Sequence, residues 1–102
     1  MNRKKFTICL PYEGEFETDR DYEMAKFEYM CNMYHLNDML HVYGTVSLNE
    51  AIRCYPSARY KIFSYRWGWD FSKDNSIDVR LIKNPVNPRV WYLKFTAYDI
   101  VG

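Results

Sequence analysis

The sequence predicts an α+β fold in which a long N-terminal helix and a short capped helix pack on a small antiparallel sheet with a C-terminal hairpin. Two serine or threonine capping signals precede stretches with helical periodicity, and strand-like alternation appears near the start and in the last quarter. Helices followed by grouped strands are typical of α+β folds rather than of βαβ units. With 102 residues, we expect one domain spanning residues 1–102.

The first elements are a strand and a long helix. Phe6, Ile8 and Leu10 alternate with less apolar residues, which indicates a half-buried strand. We predict a loop over residues 11–17 and then a helix from about Asp19 to about Val42, begun by Thr18 and Asp21. Its predicted core face consists of Tyr22, Ala25, Tyr29, Met33, Leu36 and Leu40.

The same helix carries a second apolar line, called the second stripe here. It consists of Met24, Phe27, Cys31 and Tyr34, which also recur at steps of three and four. Because each residue turns the helix by about 100°, these side chains lie roughly opposite the core face. Either the C-terminal strands cover the second stripe, or it faces a partner protein or a second copy.

A helix–turn–helix corner is predicted after the long helix. Gly44 can adopt the left-handed conformation that ends a helix, and Ser47 with Glu50 forms a capping box for a second helix over Leu48–Tyr55. Pro56 ends that helix. We expect a further helical turn capped by Ser57, and then extended chain toward residues 67–69.

The last part of the chain predicts a hairpin. Residues 77–82 alternate in hydrophobicity, residues 84–88 form a connection with two prolines, and a long strand extends from Val90 to about Ile100. Trp91, Leu93, Phe95 and Ala97 are predicted to lie on one face of this strand, and Val90, Tyr92, Lys94, Thr96 and Tyr98 on the other. The N-terminal strand can pair beside this hairpin.

Composition limits the function. The net charge of +1 argues against strong non-specific DNA binding. Aromatic residues make up 19% of the chain, more than so small a domain can bury, and exposed aromatic rings are typical of binding faces.

The cysteines and the apolar segments bear on location. Cys9, Cys31 and Cys54 show no metal or redox spacing, so we expect three reduced, mostly buried thiols in a cytoplasmic protein. No signal peptide or membrane span is recognisable, and we expect no membrane contact.

No enzymatic chemistry is predicted. Glu28, Cys31, His35 and Asp38 lie on neighbouring helical turns, but no second ligand cluster accompanies them, so no metal site is predicted. Phosphate-binding glycine loops and nucleophile motifs are absent from the sequence. We expect neither a cofactor nor catalysis.

Charge is distributed unevenly. Residues 13–28 carry seven acidic and two basic side chains, whereas residues 53–94 carry nine basic and three acidic ones. The acidic segment, defined as Glu13, Glu15, Glu17, Asp19 and Asp21, is either a solvated helix start that suits the helix dipole or a patch for a partner protein with a basic surface.

A basic and aromatic segment offers another candidate site. Arg59, Lys61, Arg66 and Trp67 alternate with further rings, a composition that can contact phosphates and stack on bases. The alternative is that these rings pack in the core.

Part of the chain resembles a group of small uncharacterised proteins encoded by phages, prophages and other mobile elements of Gram-positive gut bacteria. The resemblance rests on Gly44-Thr45-Val46-Ser47-Leu48-Asn49-Glu50-Ala51, then Trp67-Gly68-Trp69 and a two-strand tail, and covers Tyr43 to Phe95. Ala51-Ile52 replaces residues that are often aromatic in the group, and the usual glycine after the helix is missing. The resemblance implies an origin and a fold, and it carries no catalytic residues.

The resulting hypothesis is a phage accessory protein that acts in the host bacterial cell by protein–protein binding. An inhibitor of a bacterial defence nuclease, such as an anti-CRISPR protein, is its most concrete form, because a small polarised protein with an acidic patch can occupy a basic nucleic-acid groove. The alternatives are a nucleic-acid-binding module that uses the Arg59–Trp67 segment and a phage structural protein that self-associates, for example as a dimer, through the second stripe.

Overall fold

The computed structural model describes residues 3–12, 17–55, 62–87 and 89–101. Within these ranges lie five strands and two helices: β1 (Lys5–Tyr12), α1 (Asp19–Tyr43), β2 (Thr45–Ser47), α2 (Leu48–Arg53), β3 (Trp67–Asp70), β4 (Asp78–Lys83) and β5 (Trp91–Asp99). All pairs of strands are antiparallel. The predicted α+β fold is confirmed.

Strand β5 is the centre of the sheet. One of its edges pairs with β1 along the whole length of that strand, from Lys5 opposite Tyr98 to Tyr12 opposite Trp91. The other edge is shared, because β4 pairs with residues 91–96 and β3 pairs with residues 98–99. Strand β2 extends the sheet beyond β3. The predicted hairpin and the pairing of the N-terminal strand beside it are confirmed.

The core lies between the helices and one face of this sheet. Trp91, Leu93, Phe95 and Ala97 share one face of β5 as predicted, and this face is the buried one. The predicted core face of α1 is also confirmed, since Leu36 and Leu40 are fully buried and the other members are buried or half-buried. Trp69 of β3 is sealed in the same core, where its Nε1 donates to the Thr96 carbonyl at 3.0 Å.

Both predicted capping boxes are confirmed. The Asp21 N–H donates to Thr18 Oγ1 at 3.3 Å, and the Thr18 N–H donates to Asp21 Oδ2 at 3.0 Å. The same exchange joins Ser47 and Glu50 at 3.3 and 3.2 Å at the start of α2. Each exchange satisfies backbone N–H groups that a helix leaves without partners at its first turn.

Helix α1 ends as predicted at Gly44, which has a φ of 83° and donates its N–H to the Leu40 carbonyl. The chain beyond Gly44 is not a simple turn. Residues 45–47 form β2, which pairs with β3, so the predicted helix–turn–helix corner is wrong in that a sheet strand separates the two helices. Helix α2 also ends at Arg53, two residues earlier than predicted. Pro56 and Ser57 lie outside the described residues.

Several strand boundaries differ from the predictions. Pro11 and Tyr12 belong to β1 and not to a loop, because they pair with Tyr92 and Trp91 of β5. A proline is compatible with an edge strand, where its missing N–H breaks no ladder on the sheet side. The last strand is one residue shorter at each end than predicted.

Gly68 is a position at which an added side chain would disturb the sheet. It pairs with Ser47 on one side and with Tyr98 on the other, and an added Cβ would collide with the Val46 carbonyl oxygen and lie 2.9 Å from Ser47 Cα. Gly44 differs, since a Cβ there meets nothing within 4 Å but the positive φ disfavours a side chain.

We therefore expect Gly68→Ala to lower the free energy of unfolding by about 3 kcal/mol, because backbone atoms cannot yield without separating β2 from β3. Gly44→Ala serves as the comparison and should cost about 1 kcal/mol from backbone strain alone. Urea unfolding monitored by tryptophan fluorescence measures both, and equal losses would contradict the close contact at Gly68.

Candidate protein-binding face

The second stripe is exposed on the outward face of α1. Met24, Phe27 and Tyr34 are 63, 70 and 75% exposed, and Cys31 between them is exposed as well. The C-terminal strands do not cover it, so that alternative is wrong. The reason is geometric, because β4 and β5 lie against the opposite face of the helix, through Tyr29 and Tyr22.

Three contacts fix the rotation of α1 about its own axis. The Tyr29 hydroxyl donates to the Val79 carbonyl of β4. The Asn37 side-chain oxygen accepts the Ile77 N–H at 2.8 Å. On the other flank, the Tyr12 hydroxyl of β1 donates to Glu28 at 2.6 Å. A helix held on both flanks cannot turn the second stripe toward the sheet.

Met30 enlarges the apolar surface beside the second stripe. It is 53% exposed and was not predicted as part of any site. Together with Tyr29, Met33, Tyr34 and Asn37 it lines a shallow groove of about 290 Å³. Met30 lies three residues after Phe27 and three before Met33. The sequence could therefore have indicated Met30 through the width of the apolar surface of α1, but not through the spacing of the second stripe.

The acidic segment is only partly available to a partner. Asp21 is engaged in the first capping box, and hydrogen bonds from Thr18 lower the pKa of its carboxyl group. Glu17 lies 3.8 Å from Arg89, in an exposed ion pair. Asp19 is exposed at the first position of α1. Glu13 and Glu15 lie outside the described residues.

The cysteines differ from the prediction of mostly buried thiols, which is wrong. Cys9 and Cys31 are exposed and Cys54 is half-buried, and none is in a disulfide. Cys9 points outward because it alternates with Ile8 and Leu10 on β1. Burial raises the pKa of the Cys54 thiol, which makes it less reactive.

The acidic and thiol side chains do not converge on a metal-binding arrangement. Among the described residues, no three His, Cys, Asp or Glu side chains are placed to hold a metal ion. Glu28 is turned toward β1 by Tyr12, whereas Cys31 faces outward.

The basic and aromatic segment is described only in part. Arg66 donates to the buried Asp99 at 2.7 Å, and the half-buried Trp67 ring stacks on Phe6 with centroids 5.1 Å apart. Both side chains therefore have structural contacts. Arg59 and Lys61 lie outside the described residues, so a nucleic-acid interface on this segment stays a prediction.

A buried asparagine holds Phe63, within this segment. Asn49 of α2 is fully buried, and its side-chain amide donates to and accepts from the backbone of Phe63, with both distances at 2.8 Å. These two hydrogen bonds resemble the pair of backbone hydrogen bonds that two residues exchange between adjacent strands. It carries Phe63 to the neighbourhood of Phe6, where the ring centroids are 5.6 Å apart.

A second depression, of about 530 Å³, opens over the β3–β4 connection. Its walls carry Asp74 and Asp78, and each carboxylate has a basic neighbour. Asp74 accepts two hydrogen bonds from Arg3 as well as the Asp70 N–H, and Asp78 lies 3.5 Å from Arg80. The contacts of Asp74 tie Arg3 to the β3–β4 connection.

Comparison of the chain with protein-family models, curated proteins and solved structures found no match. Within the described ranges, no helix has the length and apolar character required to cross a lipid bilayer.

The capping box at Thr18 makes a prediction about pH. Because the pKa of Asp21 is lowered in the folded protein, the stabilisation from its ionised form is present above the pKa of the unfolded chain, about 4, and is lost as pH falls through the folded value. Asp21→Asn should therefore be less stable than the original protein at pH 7, and the difference should shrink below about pH 4.

Thermal unfolding at a series of pH values measures this difference. Thr18→Ala, which removes the hydroxyl partner, should cost about 1 kcal/mol at pH 7. A difference between the original protein and Asp21→Asn that stays constant from pH 7 to pH 3 would contradict the assigned role of the carboxylate.

Proposed function

We propose that this chain acts by protein–protein binding and that the outward face of α1 is its contact surface. The observation that carries the proposal is the exposure of the second stripe, with Met30 beside it, on a helix whose rotation is fixed. Contiguous apolar side chains on a protein surface are typical of interaction sites. Phenylalanine and tyrosine also supply a large contact area for a small loss of side-chain entropy.

The acidic segment supports a more specific proposal for the partner. Glu17 and Asp19 stand at the N-terminal end of the same helix that carries the second stripe. Negative charge there would speed association with a basic surface without adding much to the final affinity. The target class that fits is a protein with a basic nucleic-acid groove.

Within that class we propose a bacterial defence nuclease, which makes the chain an inhibitor of the anti-CRISPR kind. The support is the uneven distribution of charge and the resemblance of Tyr43–Phe95 to phage proteins. Such an inhibitor needs no catalytic group, because occupying the groove excludes the nucleic acid.

The apolar part of the proposal is tested by Phe27→Glu combined with Tyr34→Glu. Two charges on the second stripe should abolish capture of the partner from host lysate, because each would be desolvated at the interface. The matched control is Val86→Glu with Val101→Glu, since both valines are exposed apolar residues outside α1. Circular dichroism confirms that all variants are folded. Equal capture by the two double variants would contradict the role of α1.

The acidic part is tested by reversing Glu13, Glu15 and Glu17 to lysine. We expect the association rate constant with the captured partner to fall by about tenfold at low salt and to change little at high salt, because screening removes steering. The control is Asn75→Lys with Ser76→Lys, which adds positive charge on the β3–β4 connection, away from the start of α1. Unchanged association kinetics after the triple reversal would reject the steering mechanism.

A further inference from the structure

The second stripe continues beyond its four apolar residues. Arg20 lies four residues before Met24, and Asp38 lies four residues after Tyr34. The six positions advance by four, three, four, three and four residues, which is the alternation of the a and d positions of a coiled coil. Arg20 and Asp38 are both exposed, and neither forms an ion pair with another side chain of the described ranges.

We propose that the outward face of α1 binds a second copy of this chain, with the two helices antiparallel. The inference rests on the proposed function of this face as a protein-binding surface and names its occupant. In an antiparallel pair, each a position meets a d position of the other helix. Met24 then faces Tyr34 of the second copy, and Phe27 faces Cys31 of the second copy, so four apolar layers form without a gap.

Charge complementarity selects this arrangement. The register that matches the apolar layers places Arg20 of each chain opposite Asp38 of the other, at both ends of the interface. A parallel pair of helices with the same residues at the a and d positions would instead set Arg20 against Arg20 and Asp38 against Asp38. Antiparallel packing also brings the N-terminal end of one helix dipole beside the C-terminal end of the other.

The rest of the fold permits the pairing. The core face of α1 is directed at the sheet, so two helices can meet back to back with one sheet on each outer side. Met30 lies on the flank of the interface near the two-fold axis, where it would meet Met30 of the second copy. The helix of 25 residues is about 37 Å long, which gives the six positions room to contact the second copy along its whole length.

Glu17 and Asp19 of the acidic segment remain accessible in this dimer. Both lie at the start of α1, so the antiparallel arrangement places the two pairs of carboxylates at opposite ends of the helix pair. One dimer would therefore present two separate acidic ends to foreign proteins, and capture of a foreign protein through the second stripe itself would require the dimer to dissociate.

Sedimentation velocity of the full chain over a wide concentration range tests self-association. We expect a reversible monomer–dimer equilibrium, and Phe27→Glu should raise the dissociation constant by about a hundredfold or more because it removes two buried rings per dimer. Val86→Glu, at an exposed apolar residue outside α1, should leave the dissociation constant unchanged. A monomer at every concentration would overturn the inference.

A charge exchange tests the antiparallel register. Arg20→Asp and Asp38→Arg should each weaken the dimer by about tenfold, since each sets like charges together at both ends. The double variant Arg20→Asp with Asp38→Arg restores opposite charges and should recover the original dissociation constant. Failure of the double variant to recover would overturn the register.

Disulfide trapping separates antiparallel from parallel pairing. In a Cys9→Ser background, Phe27→Cys should form a covalent dimer with Cys31 under mild oxidation, whereas Phe27→Cys with Cys31→Ser should not. A covalent dimer from Cys31 alone would indicate a parallel pair and overturn the proposal. If the chain stays monomeric while the second stripe is still needed to capture a foreign protein, the proposed function stands and the dimer does not.

Discussion

Backbone pairing along β5 is the constraint on which the other contacts depend. This strand uses both of its edges, with β1 on one side and β4 followed by β3 on the other. Its side chains alternate strictly between the core and the outer face of the sheet, and Leu93, Phe95 and Ala97 are fully buried. A slip of one residue would send all three to the outer face, so burial and register enforce one another.

The orientation of α1 is set by that register. Because β4 is fixed on β5, the Val79 carbonyl stands where the Tyr29 hydroxyl can reach it, and Ile77 presents its N–H to Asn37. On the other edge, pairing of β1 carries Tyr12 to Glu28. The helix is thus aligned by both edges of β5, and the exposure of its outward face is a consequence of how the sheet is ordered.

Local signals predicted local structure well. Each capping box requires two residues that lie three positions apart in the sequence. Both boxes form at the predicted N-caps, Thr18 and Ser47. Structure that depends on distant chain segments was harder to predict. Strand β2 has three residues, too few for a recognisable alternation, and it exists because β3 is beside it. Pro11 suggested a loop, yet pairing with β5 holds it in a strand.

The candidate protein-binding face shows the same difference between local structure, which the sequence predicted, and long-range contacts, which it did not. The period of α1 predicted correctly that Phe27 and Tyr34 lie opposite the core. It could not predict whether the hairpin would cover them, since that depends on which side of the helix the sheet occupies. Cys9 was misassigned for a related reason, because the helices cover one face of the sheet and Cys9 of β1 lies on the other.

The two faces of α1 have the same mean spacing, so charge and not spacing distinguishes what the outward face is built to contact. The core face advances by three, four, four, three and four residues from Tyr22 to Leu40, so both faces cover eighteen residues in five steps. On the outward face, steps of four and three alternate strictly from Arg20 to Asp38. A seven-residue repeat drifts by about 20° per heptad around a straight helix, and it stays in contact only with a partner helix that winds around it in a left-handed sense. The outward face is thus compatible with a partner helix, and the charges at its ends make α1 of a second copy the helix that fits it.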